Sequence, residues 1–285
     1  MSIAFFTLIE RKVLGYKQLR YGPNKVYIKG ISQPLLDGLK LFLKENRFNF
    51  NINLLFFLLF PILSLLFMLL IWQSYVFIII DFLVNRFLFF IMLSRLSVYT
   101  IIGRGWFSNS KYAILGCYRR VAQVISYEVG LVFLIIIIIF FSKNYRFRIN
   151  VDKNIISHFL FFGLFVIYVI WLVIVLAELN RAPFDFAERE SELVSGFNIE
   201  YGGLKFAFLF LSEYGSMIFI SYLTILIFFQ DFLLCCILII FIILWVRGVF
   251  PRYRYDNLMN LRWKMFLPVI LFFLTLVYLY IYFII

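Results

Sequence analysis

One segment of the chain, AELNRAPFDFAERESELVSGFNIEYGG at residues 177–203, holds six of the 15 acidic residues within 23 positions. These acids are Glu178, Asp185, Glu188, Glu190, Glu192 and Glu200. Two carboxylates placed close together do not both ionise cheaply, so one of them keeps its proton up to near-neutral pH. Such a group can take up and release a proton in each turnover. The segment is therefore a candidate proton-transfer site, and Glu188 and Glu192 would share one face if it is helical.

Two further acids, Glu128 and Glu213, lie inside long apolar runs. An ionisable group within a membrane span is costly and by default marks a functional site. Each has a simpler alternative: Glu213 could pair with Arg95, and Glu128 could pair with a basic group at the interface near Arg120. The acidic segment itself could be a solvated loop, although apolar residues that interleave with the acids favour packing against protein; they are Phe184, Phe186, Leu193, Val194 and Phe197.

The composition indicates that lipid is the solvent for most of the chain. Hydrophobic residues make up 64% of it, charged residues 15%, and the mean hydropathy is +0.98; soluble domains are about half apolar and a quarter charged. The net charge of +12 could indicate a nucleic-acid partner, but no nucleic-acid-binding motif accompanies the basic residues. Basic loops on the inner side of a membrane explain the charge better.

The chain has too few soft ligands to hold a zinc ion or an iron–sulfur cluster alone. Its cysteines are Cys117, Cys235 and Cys236, and its single histidine is His158. Such sites need about four ligands of this kind at suitable spacing. The glycine patterns of dinucleotide-binding and P-loop proteins do not occur either. We therefore expect any redox cofactor to lie on a partner.

Uncharged apolar runs predict an all-α integral membrane protein, a polytopic bundle of about seven transmembrane helices. The predicted spans are about 48–72, 82–103, 122–142, 154–177, 204–229, 232–246 and 265–285. Residues 1–9 are predicted as a half-helix that is too short to cross a bilayer. Residues 33–45 predict an amphipathic helix at the membrane interface, or alternatively an ordinary helix packed on the bundle; its apolar face holds Leu35, Leu36, Leu39, Phe42 and Leu43.

Lysine and arginine are distributed unevenly between the connecting segments. Segments 10–47, 104–120, 178–205 and 247–264 hold 21 of the 27 basic residues. The positive-inside rule places these segments on the matrix or cytoplasmic side. The acidic loop 178–203 lies on the same inner face.

Four long stretches carry a resemblance to a known family. They are ERKVLGYKQLRYGPNKV (10–26) with QPLLDGLKLFLKE (33–45), GWFSNSKYAILGCYRRVAQVISYEV (105–129), AELNRAPFDFAERESELVSGFNIEYGG (177–203) and PRYRYDNLMNLRWKMFLP (251–268). In unbroken order over nearly the whole chain, they resemble the NADH dehydrogenase subunit 1 family, the quinone-site membrane subunits of respiratory complex I.

The resemblance implies a core membrane subunit of a proton-pumping NADH:ubiquinone oxidoreductase. Such a subunit forms the membrane end of a quinone tunnel and an acidic funnel for proton coupling, and it has no activity as an isolated chain. Ubiquinone is the implied substrate, and NADH, FMN and iron–sulfur clusters are implied on partner subunits. The implied partners are the quinone-reducing subunits of the hydrophilic arm, other membrane subunits and lipids such as cardiolipin. The implied location is the mitochondrial inner membrane with the motif loops facing the matrix, or a bacterial plasma membrane.

The resemblance also implies roles for individual residues. The implied proton relay consists of Glu128, Glu178, Asp185, Glu188, Glu190, Glu192 and Glu213. The implied quinone-binding residues are Arg11, Arg20 and Asp37 at the tunnel entrance and inner mouth, Phe210, Leu211 and Tyr214 in its wall, and Arg252 and Arg254 at its charged end. For Arg20, Arg252 and Arg254 the alternative is a positive-inside signal or contact with anionic lipids.

Three positions depart from the family pattern. Only nine residues precede Glu10, where the family has a full transmembrane helix; a separate short peptide could supply the rest, the helix could be lost, or the start codon could be misplaced. Arg189 stands where the family usually has glycine. Arg95 stands within a span where the family usually has a small or apolar residue, so it needs a carboxylate or a lipid headgroup as its partner.

Two alternative functions remain open on the sequence. The chain could be the equivalent anchor subunit of a membrane-bound hydrogenase. It could also be a free-standing transporter with Glu213 as its coupling site, although such folds usually show an internal repeat and we find none.

Overall fold

The computed structural model describes residues 2–26, 29–44, 53–80, 86–142, 159–185, 200–228 and 233–284. Helices are the dominant element, and no β-strand occurs in these ranges. Five helical segments are long and apolar enough to cross a membrane. The predicted all-α membrane fold is therefore confirmed. The five segments are Leu54–Ser74, Leu88–Phe107, Lys111–Phe140, Gly203–Phe228 and Tyr255–Leu279, and shorter apolar helices cover Phe165–Glu178 and Cys235–Val249.

The helices follow one another with short connections where the chain is described. We number them α1 (Ser2–Lys17), α2 (Gln33–Leu43), α3 (Leu54–Ile80), α4 (Arg86–Phe107), α5 (Lys111–Ser142), α6 (Phe159–Glu178), α7 (Gly203–Phe228), α8 (Leu233–Val249), α9 (Tyr255–Asn260) and α10 (Leu267–Ile284). A π-helical turn, Leu261–Phe266, joins α9 to α10. The residues that flank this turn keep right-handed helical angles, so the last two helices form one continuous rod.

Helix α5 begins much earlier than the apolar pattern predicts. It starts at Lys111 rather than near residue 122, because Arg120 is only 7% exposed and faces the protein interior instead of marking a loop. Glu128 consequently lies roughly 26 Å along the helix rather than near its start. Helix α1 likewise continues past residue 9, through the ERK motif, to Lys17.

Helix α7 lies at the centre of the described bundle. It packs against α3 on one side and contacts α1, α2 and α8 on others, while α4 and α5 continue the bundle from α3. Helices α6 and α10 both pack against α5. The fully buried side chains of this core include Trp171, Tyr127, Leu131, Leu134 and Ile174. The polar residues of α5 and α7 are thereby enclosed among several helices.

A buried arginine holds the continuous helix formed by α9 and α10 against α5. Arg262 is fully buried, donates from Nε to the carbonyl oxygen of Ser126 at 3.1 Å, and lies over the ring of Tyr127. A Cβ added at Gly130 would overlap the guanidinium, so a larger residue at this position of α5 would displace the Arg262 side chain. Arg262 is thus a packing residue, although the sequence places it in a basic inner loop.

The end of α6 is held by one glutamine of α5. Gln123 is fully buried, and its Nε2 donates to the carbonyl oxygens of Ala177 at 2.8 Å and Phe184 at 2.9 Å. Between them, Asn180 takes a positive φ of 49°, which asparagine adopts more readily than most residues. This arrangement fixes the beginning of the acidic segment against α5.

Candidate functional site

A cavity of about 650 Å³ opens between α1, α2, α7 and the end of α6. Its volume falls in the range of small-molecule sites, which usually combine apolar walls with a few oriented polar groups. The apolar wall comes from α1, α2 and α7 and includes Ile3, Leu41, Phe42, Phe206 and Phe210. Five of the predicted quinone-binding residues line this cavity, and they are Arg11, Asp37, Phe210, Leu211 and Tyr214.

An ion pair between α1 and α2 stands at one side of the cavity. Arg11 Nη1 lies 3.0 Å from Asp37 Oδ2, and Gln33 donates to Asp37 Oδ1 at 2.8 Å. The two charged side chains are 56% and 38% exposed, so the pair contributes little to stability. Its geometric effect is to hold α2 beside α1 and to give the cavity a polar mouth.

A buried carboxylate, Glu10, forms a second polar group in the same cavity. The Tyr214 hydroxyl donates to Glu10 Oε2 at 2.6 Å, and Arg181 Nη1 lies 3.2 Å from Oε1. Arg247 of α8 also pairs with Oε1. The Arg181 guanidinium lies 4.4 Å from the centre of the Tyr214 ring. Because charge-assisted bonds come from three directions, this carboxylate is well accommodated at 3% exposure.

A third pair, Arg120 and Glu213, separates this cavity from a smaller one. Arg120 Nη1 lies 2.9 Å from Glu213 Oε1, with the two side chains 8% and 18% exposed. Both residues line the 650 Å³ cavity and a second cavity of about 120 Å³, as do Leu179 and Asn180. The pair therefore stands in the wall between the two spaces.

The second cavity is rich in hydroxyl groups. Glu178 lines it, and the buried Oε2 of this carboxylate has no hydrogen-bond partner among the described residues. A polar cavity of this size can hold a few water molecules. The hydroxyl-bearing residues are Ser64, Ser94, Ser97, Thr100, Ser212 and Ser216.

A buried arginine, Arg104, also lines the second cavity, and a tyrosine outside the cavity contacts its backbone. Arg104 is 3% exposed and donates from Nε to the carbonyl oxygen of Thr100 at 3.1 Å. Tyr201 donates to the carbonyl oxygen of Arg104 at 3.5 Å and stacks on Phe57 with ring centres 4.2 Å apart. Burial raises the pKa of the Tyr201 phenol above its usual range, so the tyrosine stays neutral and acts as a donor.

Glu128 is reached from the second cavity through a serine. Ser94, which lines that cavity, donates to Glu128 Oε1 at 2.8 Å. Arg95 Nε lies 3.7 Å from the same oxygen. Two expected alternatives are therefore corrected: Glu213 pairs with Arg120 rather than Arg95, and Arg95 pairs with Glu128. Arg120 cannot serve Glu128 as an interfacial partner because it is buried beside Glu213.

Several predicted site residues lie away from these two cavities. Arg20 lines a third space of about 550 Å³, which shares Arg11 and Leu14 with the first cavity. Arg252 and Arg254 are exposed and line none of the three cavities. Asp185 is 8% exposed, just after the α6 end, and also lines none of them. The predicted acids Glu188, Glu190 and Glu192, and Arg189 among them, lie outside the described residues.

Five charged residues that line the first two cavities are missing from the predicted set. They are Glu10, Arg104, Arg120, Arg181 and Arg247. Glu10 lies in a motif next to the predicted Arg11, and Arg181 lies in another motif three positions after Glu178, so adjacency was the available signal. Arg120 also lies within a motif, 105–129, but eight positions from the predicted Glu128, and Arg104 and Arg247 lie outside the motifs. A basic residue at the end of an apolar run is usually interfacial.

Comparison with known proteins identifies the family of this chain. A family model described as NADH dehydrogenase matches residues 1–278. The chain is 47% identical over 275 residues to "NADH-ubiquinone oxidoreductase chain 1" of Anopheles gambiae, covering 94% of this chain and 87% of that protein. The protein of the same name from Heterololigo bleekeri is 43% identical over 291 residues, covering 95% of this chain and 90% of that protein. The one from Strongylocentrotus purpuratus is 42% identical over 282 residues, covering 94% of this chain and 87% of that protein. The predicted resemblance is confirmed, and the chain belongs to the NADH dehydrogenase family.

Proposed function

We infer that this chain is a core membrane subunit of NADH–ubiquinone oxidoreductase and that it binds the quinone in the 650 Å³ cavity. The observation that carries the inference is the Arg120–Glu213 pair, which faces both this amphipathic cavity and a hydroxyl-lined one. Family membership and the names of the relatives support the oxidoreductase. They do not support a hydrogenase anchor or a free-standing transporter.

The cavity suits a molecule with a flat polar head and an apolar tail. Phe210 and Leu211 supply an apolar wall, and Arg11 with Asp37 supplies charge at the mouth. Tyr214 presents a ring beside the wall while its hydroxyl is engaged by Glu10. We propose that the quinone tail lies along the α7 wall and that its head moves past these ion pairs toward the partner subunits that reduce it.

Reduction of a quinone by two electrons requires two protons or leaves negative charge on its oxygens. In our proposal the electrons come from NADH through flavin and iron–sulfur clusters of the partner subunits. New negative charge near Arg120 competes with Glu213 for the guanidinium, and a released Glu213 carboxylate can accept a proton. The second cavity then connects Glu213 with Glu178, and through Ser94 with Glu128.

The remaining predicted residues have proposed roles on the same side of the membrane. We propose that Asp185, Glu188, Glu190 and Glu192 extend the proton route from Glu178 toward the matrix. The basic residues Arg20, Arg252 and Arg254 are proposed to bind partner subunits of the hydrophilic arm or anionic lipids. The chain is proposed to cross the mitochondrial inner membrane with these loops in the matrix.

The quinone site is tested by filling the cavity in the assembled complex. Leu211→Trp places a larger side chain in the cavity and leaves less space for the ligand. It should raise the KM for quinone about tenfold, because the ligand is displaced from part of its apolar contact. NADH oxidation with an artificial electron acceptor should remain normal. Ile237→Trp is the control, since Ile237 is 66% exposed on α8 and lines none of the three cavities. An unchanged KM in Leu211→Trp would move the quinone elsewhere.

A further inference from the structure

Arg95 carries a charge in the middle of an apolar helix. It lies roughly 14 Å from the start of α4 at Arg86 and roughly 18 Å from its end at Phe107. Its side chain is 62% exposed in the isolated chain, and its neighbours on the same helix surface are the exposed Met92, Leu96 and Tyr99. A charge at such a depth is expensive unless it is paired, and paired charges within spans are usually functional.

The partner of Arg95 is Glu128, which is contacted from two sides. Arg95 approaches Oε1 from the outer surface of the α4–α5 pair, and Ser94 donates to the same oxygen from the second cavity. The exposure of Glu128 is only 5%. Two consecutive residues of α4 therefore contact the same carboxylate oxygen of Glu128 on α5: Arg95 with its guanidinium and Ser94 with its hydroxyl.

Burial otherwise disfavours the ionised form of Glu128, because at 5% exposure the carboxylate has little contact with water. Among the described residues, Arg95 is the cation that the structure places within ion-pair distance of Glu128. An ionised Glu128 thus depends on Arg95 for its counter-charge.

We propose that Arg95 is a positioning residue for proton transfer through Glu128. It keeps the carboxylate ionised and directed to the outer α4–α5 surface, ready to accept a proton that arrives through Ser94. When Glu128 is protonated the ion pair is lost, and when the proton leaves the pair reforms. This inference rests on the proposed function, because it assumes that Glu128 belongs to the proton route.

The test compares variants of the assembled complex in sealed membrane vesicles, with quinone-coupled proton uptake per NADH oxidised as the readout. Arg95→Gln should lower this ratio about fivefold, in line with the loss of one partly exposed ion pair. Arg95→Lys, which restores the charge, should stay within about twofold of the parent. Met92→Gln, which places the same neutral side chain on the same exposed surface one turn away, should leave the ratio unchanged.

A double-mutant cycle distinguishes a role through Glu128 from a general packing role. In a Glu128→Gln background, Arg95→Gln should have no further effect, and infrared difference spectra of Arg95→Gln should gain a carboxylic-acid band that the double variant lacks. Additive losses, or an effect no larger than that of Met92→Gln, would overturn the proposal. Normal pumping by Glu128→Gln would instead remove Glu128 from the proposed route altogether. If Arg95→Gln does not assemble, the double variant should, since it removes both charges; failure of both would also overturn it.

Discussion

Glu10, Glu128 and Glu213 show how single carboxylates are accommodated inside an apolar bundle. Each is met by an arginine from another element: Arg181 for the first, Arg95 for the second and Arg120 for the third. Such an ion pair is weak as a source of stability, yet removing the arginine leaves a carboxylate that has little contact with water and no counter-charge. The Arg95 side chain itself is 62% exposed. A small change of charge near such a pair therefore determines whether the carboxylate stays bound to its arginine.

The Glu213→Gln variant tests this sensitivity directly. Glutamine retains the shape of the side chain and one acceptor for Arg120, but it cannot take up a proton. We expect quinone-coupled proton pumping to fall by about tenfold or more, as for the loss of a group that transfers protons. NADH oxidation with artificial acceptors should persist, and both rates can be measured on the same vesicles. Equal loss of both rates would indicate failed assembly and would contradict a specific role in coupling.

The pairing of residues across helices marks the limit of what the sequence predicts about the site. Glu213 and Glu128 were predicted to lie inside membrane spans, because charge within an apolar run is visible in one dimension, and both lie within long apolar helices. Their partners were not predicted, since Arg120 and Glu213 are 93 residues apart and Arg181 and Glu10 are 171 apart. Which cation meets which acid depends on helix rotation and neighbour choice, and neither is encoded in spacing.

At the scale of the elements, α5 and α6 form the frame of the site. Helix α5 carries the buried residues Arg120, Gln123 and Glu128, and Gln123 fixes the end of α6 with two hydrogen bonds. Apolar runs predict that these helices exist, because burial in lipid or protein requires them. The true start of α5 could not be read from the runs, since a buried arginine and an interfacial arginine look alike in sequence.

The Gln123→Leu variant tests the role of this frame. Two carbonyl groups at the α6 end would lose their donor, which should destabilise the local structure by about 2–3 kcal/mol. We expect faster proteolysis within residues 177–185 of the assembled complex and earlier thermal loss of quinone reductase activity. Gln73→Leu, at an exposed position of α3, is the matched control and should behave as the parent. Equal protease resistance in the two variants would show that other contacts hold this end of α6.

At the scale of the whole molecule, the helices differ widely in how much of their surface the chain itself covers. In an 18-residue apolar window of the α7 segment Gly203–Phe228, 67% of the residues are buried, whereas in the corresponding window of Tyr255–Leu279 at the end of the chain 17% are buried. The apolar face of α2 is also open, with Leu39 at 59% and Phe42 at 63% exposure. These surfaces need lipid or neighbouring subunits, because large exposed apolar areas are unfavourable in water.

A lipid-borne photoreactive probe tests the interfacial placement of α2. We expect the peptide that contains Leu39 to be labelled several-fold more than the peptide that contains Tyr21, because an amphipathic helix buries its apolar face at the headgroup boundary. Tyr21 is a suitable control, since it is 78% exposed in the connection between α1 and α2. Labelling of both peptides to the same extent, or of neither, would favour α2 as a helix covered by protein.

The ion pair in the wall between the two cavities has a consequence for the direction of the process. A ligand of the large cavity that contacts this pair alters the affinity of Glu213 for a proton by some factor. Thermodynamic reciprocity requires that protonation of Glu213 alters the affinity for that ligand by the same factor. Under the proposed function, the proton concentration in the hydroxyl-lined cavity is then an effector of quinone affinity. A steep proton gradient would therefore oppose quinone reduction through the same Arg120–Glu213 pair by which reduction is proposed to move a proton.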